Sequence, residues 1–165
     1  MLKIRPYQPQ DRDKVNQIAI DAFTEFQEHY SDWKAIKSVV SNMSSLASTS
    51  DLLVAEIDSE VVGAVALVHP GQDKNVNILP TWASIRMLVV SPSHRSKGIG
   101  KRLVLECLKN ARHHGYNEIA LFTSPMMKVA LPMYLRMGFK KEKDIEPIAN
   151  VEYALYKLEL STQTL

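Results

Sequence analysis

Hydrophobic positions along this chain follow two spacings, and each spacing predicts one kind of secondary structure. Apolar residues recur every three or four positions over about 11–28, 31–47, 98–114 and 126–137, which predicts four amphipathic helices. Apolar, β-branched runs predict strands at 2–7, 52–57, 61–68, 84–92, 117–123 and 151–160, and the charged segment 139–143 is a further short strand. The order β-αα-βββ-α-β-α-ββ predicts an α/β (α+β) fold, in which a mixed sheet carries helices on both faces.

The loop before the third predicted helix has an unusual charge pattern. Four basic residues and no acidic one surround the start of this helix: Arg95, Lys97, Lys101 and Arg102. The free N–H groups of a helix start already carry partial positive charge, so cations gathered there are unfavourable unless an anion binds. Gly98 and Gly100 allow the backbone to approach such an anion closely. The loop therefore predicts a phosphate-binding site.

The spacing within this loop excludes two common phosphate-binding motifs and matches a third. The P-loop pattern G-x-x-x-x-G-K-[ST] is absent, and Leu103 stands where a dinucleotide fingerprint has its third glycine. The segment Arg95-x-x-Gly98-x-Gly100 matches the [QR]-x-x-G-x-[GA] signature of the GNAT superfamily of N-acetyltransferases. On this motif the chain resembles that superfamily.

The flanking segments extend the resemblance in the order that the family has them. Residues 84–92 look like the fourth strand of the family, and residues 117–123 look like the fifth. The segment Ala130-x-x-x-Tyr134-x-x-x-Gly138-Phe139 is similar to the A-x-x-x-Y-x-x-x-G-F element that follows. The resemblance implies one N-acetyltransferase-like domain over 1–165, with a mostly antiparallel sheet and an acyl-CoA-binding core at about 50–160.

The resemblance also implies a co-substrate, acetyl-CoA, and the backbone that would bind it. The loop amides would hold its pyrophosphate, from Arg95, Ser96, Lys97, Gly98, Ile99, Gly100 and Lys101. In the family, N–H groups of the fourth strand polarise the thioester carbonyl, here at Leu88, Val89 and Val90. The pantetheine arm pairs with the fourth strand, which diverges from the fifth.

Tyr134 aligns with the family tyrosine that lies near the CoA sulfur. A phenol has a pKa of about 10, so it is protonated at neutral pH and can donate a proton to the departing thiolate. A tyrosine on an amphipathic helix is also an ordinary core residue, and this interpretation stays open. Pro132, two residues earlier, would remove a hydrogen bond from the predicted helix and kink it.

The general base does not carry over from the family. Many relatives have a catalytic glutamate in the fourth strand where this chain has Ser84, and a serine cannot act as that base. Many also have an asparagine that binds CoA in the fourth helix, where this chain has Met127. Other candidate proton acceptors lie near the junction of the first two helices, at Glu25, Glu28, His29 or Asp32, and an ordered water is a further alternative. Arg86, within an apolar strand, either neutralises an acidic group of the acceptor or pairs with a core carboxylate.

The acceptor pocket of the family lies between the first helix junction and the loop between the last two strands. Here these segments are 28–32 and 144–150, and both carry carboxylates that suit a cationic amine. The loop at 69–81 would add a lid. The sequence thus predicts acetyl transfer to a small-molecule or peptide amine. A non-catalytic acyl-CoA sensor and a transferase that uses a longer acyl-CoA are the alternatives.

Composition narrows the remaining classes. The net charge of +2 and the confinement of the basic cluster to one helix start argue against nucleic-acid or membrane partners. One cysteine and no recognisable signal peptide indicate a cytoplasmic protein. No His, Cys, Asp or Glu residues show metal-site spacing, so no metal is expected. A homodimer is left open.

Overall fold

The computed structural model describes residues 1–160, so the last five residues of the predicted domain lie outside the described part. Its strands are β1 (Leu2–Pro6), β2 (Ser50–Ile57), β3 (Glu60–Val68), β4 (Ala83–Val90), β5 (Glu118–Thr123), β6 (Lys140–Asp144) and β7 (Ala154–Glu159). Its α-helices are α1 (Arg12–Thr24), α2 (Trp33–Val40), α3 (Ile99–His113) and α4 (Ala130–Arg136). Short 3₁₀ helices occupy Pro9–Asp11, Met43–Ser48 and Pro92–His94. None of the helices within residues 1–160 is long and apolar enough to cross a lipid bilayer.

The strands form one sheet in the order β1-β2-β3-β4-β5-β7-β6. Every neighbouring pair is antiparallel except β4 and β5, which are parallel. β2 and β3 are joined by Asp58 and Ser59, whose φ angles of 49° and 68° are those of a two-residue turn that matches strand twist. The predicted α/β (α+β) fold with a mixed, mostly antiparallel sheet is confirmed.

The two larger apolar cores of the described residues lie on opposite faces of the sheet. The α3-side core joins α3 and α4 to the sheet and includes Leu53, Val65, Ile85, Leu103, Cys107, Tyr134 and Phe139. The α1-side core joins α1 and α2 to the other face and includes Val15, Ile18, Val40, Val54, Ala64 and Val89. Side chains alternate between the faces along a strand, so neighbouring residues of β4 serve different cores.

The fourth helix begins later than its sequence pattern predicts. Leu131 N donates to Met127 O at 3.0 Å, and Met133 N donates to Val129 O at 3.4 Å. Pro132 lies between these two donors and has no N–H for the carbonyl of Lys128. The regular helix therefore starts at Ala130, four residues later than predicted, and Pro132 lies in its first turn.

A buried ion pair fastens the edge strand β1 to the start of α1. The Arg5 guanidinium donates to both carboxylate oxygens of Asp11, at 2.8 and 3.0 Å, and Gln8 N donates to the same carboxylate at 2.8 Å. Asp11 is only 5% exposed. The hydrogen bond from Arg5 holds the pKa of Asp11 below its ordinary value, against the opposing effect of burial.

Replacing Asp11→Asn should therefore destabilise the protein by about 2 kcal/mol at pH 7, because a charge-assisted network is lost. The ionised carboxylate stabilises the fold above its unfolded-state pKa, and this contribution disappears as the pH falls through the lower folded-state pKa. Urea unfolding of both proteins should show a constant difference from pH 7 to about pH 5, which narrows below about pH 4. The control is Asp13→Asn at an exposed surface pair, and an equal loss there would contradict the assignment.

Candidate active site

β4 contains a bulge that bends it next to α3. Ala64 of β3 pairs with Val89, but Ala66 pairs with Arg86, so Met87 and Leu88 together face a single residue of β3. Met87 has a φ of 59°, the left-handed region that a side chain of this size rarely adopts. A bulge redirects the backbone and interrupts regular pairing. The predicted carbonyl-binding segment, Leu88 to Val90, follows this bend directly.

β4 and β5 separate soon after they meet. They pair only at Ala83 with Ile119 and at Ser84 with Ala120 among the residues described. From Ile85 onward the edge of β4 that faces β5 has no strand partner in the described chain. The expected divergence of the fourth and fifth strands is thus confirmed, and it leaves a gap beside the bulge.

The basic loop reaches this gap at the start of α3. Gly98 is the residue before the helix, with a φ of 76°, and it has no side chain that could cap the first turn. Ser96, two residues earlier, also has a positive φ of 65°. A Cβ on Gly100 would lie 3.7 Å from side-chain atoms of both Leu88 and Val90. The free amides at the start of α3 and the bend of β4 are therefore neighbours.

Arg95 turns away from the helix start and towards α1. Its Nη1 lies 2.5 Å from Glu25 Oε1, and its Nη2 donates to the carbonyl of Ala22 at 3.4 Å. The guanidinium thus braces the loop against the end of α1. Glu25, one of the candidate bases, is occupied by this pair.

Tyr134 lies in the α3-side core. It is 5% exposed, and its ring meets Phe139 edge to face at a centroid distance of 5.7 Å. Burial raises the pKa of Tyr134, and the nearby Cys107 raises it further. The phenol therefore keeps its proton, as an acid must, and it is also a well-packed core residue, so both interpretations agree with the structure.

A carboxylate that the sequence did not single out lies against β4. Asp73, in the loop after β3, accepts a hydrogen bond from Ser84 Oγ at 2.7 Å and lies 3.4 Å from Arg86 Nη1. Its side chain is only 2% exposed, and that of Arg86 is 41% exposed. Arg86 therefore pairs with a buried carboxylate, which was one of its two expected roles.

In the sequence, this arrangement is indicated only by the pattern Asp73-x-Asn75-x-Asn77, which is typical of Asx turns. Asn75 N donates to Asp73 Oδ1 at 3.0 Å, and Asn77 N donates to Asn75 Oδ1 at 2.9 Å. These turns and the contacts of Asp73 with β4 fasten the loop to the sheet. Ser84 is the last β4 residue that pairs with β5, so this fastening lies where the gap begins.

A groove of about 230 Å³ lies between the two segments predicted to surround the acceptor. It is lined by His29, Ser124, Pro125, Met126, Asn150, Val151 and Glu152. The two walls touch, since Ser31 N donates to Ala149 O at 2.9 Å and the hydroxyls of Tyr30 and Tyr153 are hydrogen-bonded. His29 is thus the candidate base that lines the groove. Glu28 is exposed, and Asp32 caps α2 through Ala35 N.

Comparison with known proteins bears on this geometry. Residues 12–139 match the acetyltransferase (GNAT) family. The chain belongs to this family. The predicted resemblance is therefore confirmed, and the matched residues run from α1 through Phe139.

Relatives of this GNAT chain differ widely in length and identity. N-acetyltransferase 8F1 of Rattus norvegicus is 38% identical over 92 residues, which are 53% of this chain and 38% of that protein. The match thus covers well under half of the longer relative.

The PaiA N-acetyltransferase of Thermoplasma acidophilum, solved with coenzyme A, aligns with a TM-score of 0.72 at 19% identity, over 96% of this chain and 99% of that one. The putative acetyltransferase yncA of Salmonella typhimurium, solved with acetyl-CoA, gives a TM-score of 0.68 at 15% identity, over 99% and 96%. The two structures show a shared fold.

The GNAT chain also gathers three side chains that sequence spacing does not connect. Asp51, His69 and His114 place one possible ligand atom each within 4.8 Å of one another. They come from three separate segments, so the expectation that no metal binds, which rested on spacing along the chain, did not consider this cluster.

Proposed function

We propose that this chain is an acetyl-CoA-dependent N-acetyltransferase that moves an acetyl group to a primary amine by direct attack on the thioester. One observation carries the proposal: the uncapped, basic start of α3 lies beside the β4 bulge at the gap between β4 and β5. Two neighbours with the same fold were solved with coenzyme A or acetyl-CoA, which supports this choice of ligand.

The first part of the mechanism is binding of the pyrophosphate. Backbone N–H groups from Arg95 to Lys101 would bind it, because the first N–H groups of α3 have no acceptor within the helix and Gly98 has no side chain to cap them. Lys97 and Lys101 are exposed and would neutralise its charge. The side chain of Arg95 supports the loop through Glu25 rather than binding phosphate itself.

The second part is the acyl transfer. The pantetheine arm would extend along the unpaired edge of β4, and N–H groups at Leu88, Val89 or Val90 would polarise the thioester carbonyl. A neutral amine then attacks the carbonyl carbon, the C–S bond breaks, and the amide forms. The attacking nitrogen loses one proton and the departing thiolate gains one, so the reaction needs a proton acceptor and a proton donor.

His29 and Tyr134 are the proposed acceptor and donor. His29 is exposed in the groove, and an imidazole in its neutral form accepts a proton. Ser84 and Asp73 are too buried to meet an amine, and Glu25 and Asp32 are already engaged. Glu152 adds a carboxylate to the groove, which suits a small-molecule or peptide ammonium group as the acceptor.

A second candidate function is an acyl-CoA-binding sensor without turnover. It is favoured by β4 itself, where Ser84 donates to a buried aspartate and the strand Ala83–Val90 contains no carboxylate. Calorimetric titration with acetyl-CoA, followed on the same sample by a thiol-release screen over amines, separates the two. Binding with turnover supports the transferase, and binding without turnover on any amine supports the sensor. Repeating the screen with longer acyl-CoAs tests the preferred acyl length.

Gly98→Glu should abolish measurable binding of CoA, because it places a carboxylate at the uncapped start of α3. The matched control is Gly71→Glu, since Gly71 has a similar φ of 85° and its Cβ would also meet no atom within 4 Å. Both variants carry the same strain and charge change, so calorimetry should show loss of binding in the first alone. Equal affinity in the two would refute the phosphate assignment.

Tyr134→Phe should lower turnover by roughly 10²-fold while the affinity for CoA stays unchanged, because the thiolate loses its proton donor. Tyr156→Phe is the control, since Tyr156 is a buried tyrosine of the same core. Steady-state thiol release and calorimetry on both variants provide the comparison. A wild-type rate in Tyr134→Phe would leave it a packing residue.

His29→Gln should lower kcat/KM by roughly 10²-fold, because a glutamine cannot take the proton of the attacking amine. Glu28→Gln, at the exposed neighbouring position, should keep the wild-type rate. Steady-state thiol release from both variants provides the comparison. If His29→Gln keeps the wild-type rate, a different group or a water accepts the proton.

A further inference from the structure

Asp51, His69 and His114 lie at the end of α3 that is opposite the basic loop. Asp51 is the second residue of β2, His69 follows the last residue of β3, and His114 follows the last residue of α3. Asp51 Oδ1 is 3.1 Å from His69 Nε2, and one ligand atom from each of the three residues lies within 4.8 Å of the others. In a tetrahedral zinc site with bonds of about 2 Å, ligand atoms lie roughly 3.3 Å apart. Asp51 Oδ1 and His69 Nε2 already have nearly this separation, and the ligand atom of His114, within 4.8 Å of both, has to move closer for coordination.

The backbone fixes these three residues independently of any ligand. Asp51 pairs with Leu67 across β2 and β3, so His69, two residues further, projects from the same face of the sheet. At the end of α3, His114 N donates to Asn110 O and Tyr116 N donates to Ala111 O, both at 3.0 Å. Gly115, with a φ of 80°, makes this helix end possible. The cluster therefore lies at the ends of three regular elements.

Tyr116 orients His69. The phenol oxygen of Tyr116 is 2.6 Å from His69 Nδ1, and its ring stacks on His114 at a centroid distance of 5.2 Å. When His69 Nδ1 carries the proton and donates to this hydroxyl, Nε2 directs a lone pair towards Asp51. A hydrogen bond of this kind from the far nitrogen is the usual support of a metal-binding histidine.

The local charge favours a cation. The carboxylate of Asp51 is negative, and the carbonyl end of the 15-residue helix α3 adds partial negative charge beside His114. His114 is exposed, and the side chains of Asp51 and His69 are 44% and 27% exposed, so an ion can enter from solvent.

We propose that Asp51, His69 and His114 form a binding site for a divalent transition-metal ion of the zinc type, with water completing its coordination. Two imidazoles and one carboxylate suit zinc and the neighbouring first-row transition metals, whereas magnesium and calcium prefer oxygen ligands alone. A helix of 15 residues is roughly 22 Å long, so the ion lies far from the basic loop at the other end. Its role is to join β2, β3 and the end of α3, and not to take part in acyl transfer.

The same groups have a metal-free arrangement, which the test has to distinguish. Tyr116 would donate to His69 Nδ1, and His69 Nε2–H would donate to Asp51, so no ion is needed to satisfy these atoms. That arrangement predicts no saturable binding of Zn²⁺ to the chain, apart from weak binding to individual surface histidines. It also predicts that substitution of His69 or of His114 has no effect on metal binding.

The experiment is calorimetric titration of the untagged full chain with Zn²⁺, after dialysis against a chelator and then buffer. We expect one ion per chain, weakened at least tenfold in His69→Gln and in His114→Gln, and roughly tenfold in Tyr116→Phe. His113→Gln, an exposed histidine next to the cluster, is the matched control and should bind as the wild type does. Because His114 is exposed, its variant keeps the test valid if His69→Gln fails to fold.

Thermal unfolding gives a second readout. Zn²⁺ should raise the midpoint temperature of unfolding of the wild type and of His113→Gln, while Mg²⁺ should not. The reason is that only an ion that binds the folded state stabilises it. Absence of stoichiometric Zn²⁺ binding would overturn the proposal. Equal affinity in His114→Gln and His113→Gln would overturn it too, since the ion would then sit elsewhere on the surface.

Discussion

The parting of β4 from β5 is the constraint on which the rest of the structure depends. Two residue pairs join these parallel strands, and beyond them the β4 edge has backbone donors and acceptors without a strand partner in the described chain. Such an edge inside a sheet needs other partners, and an extended ligand can supply them. α3 and α4 cover one side of the opening, and the loop that carries Asp73 closes its beginning. The fold therefore has an interruption in the middle of its sheet.

The sequence predicted the parts of this arrangement that depend on local signals. Helical spacing placed α3 within a residue at each end, and the Gly98 loop was recognisable because its charges contradict the ordinary preference of a helix start. The start of α4 was predicted too early, since the apolar pattern continues through residues whose hydrogen bonds Pro132 disrupts.

Contacts between distant segments were outside the reach of sequence patterns. Asp73 meets Ser84 and Arg86 only because the loop folds back over the sheet, and a polar loop gives no sign of which residue it will bury. The cluster of Asp51, His69 and His114 needs a strand register and a helix end to bring three separated segments together. Rules on the sequence spacing of metal ligands detect residues that lie on one element, and these three residues lie on three different segments.

The pair between Arg95 and Glu25 also has a mechanical consequence. It joins the basic loop to the end of α1, and the chain from Glu25 continues directly into the wall of the groove at His29 and Tyr30. The basic loop and this wall of the groove are thus held in position by one contact.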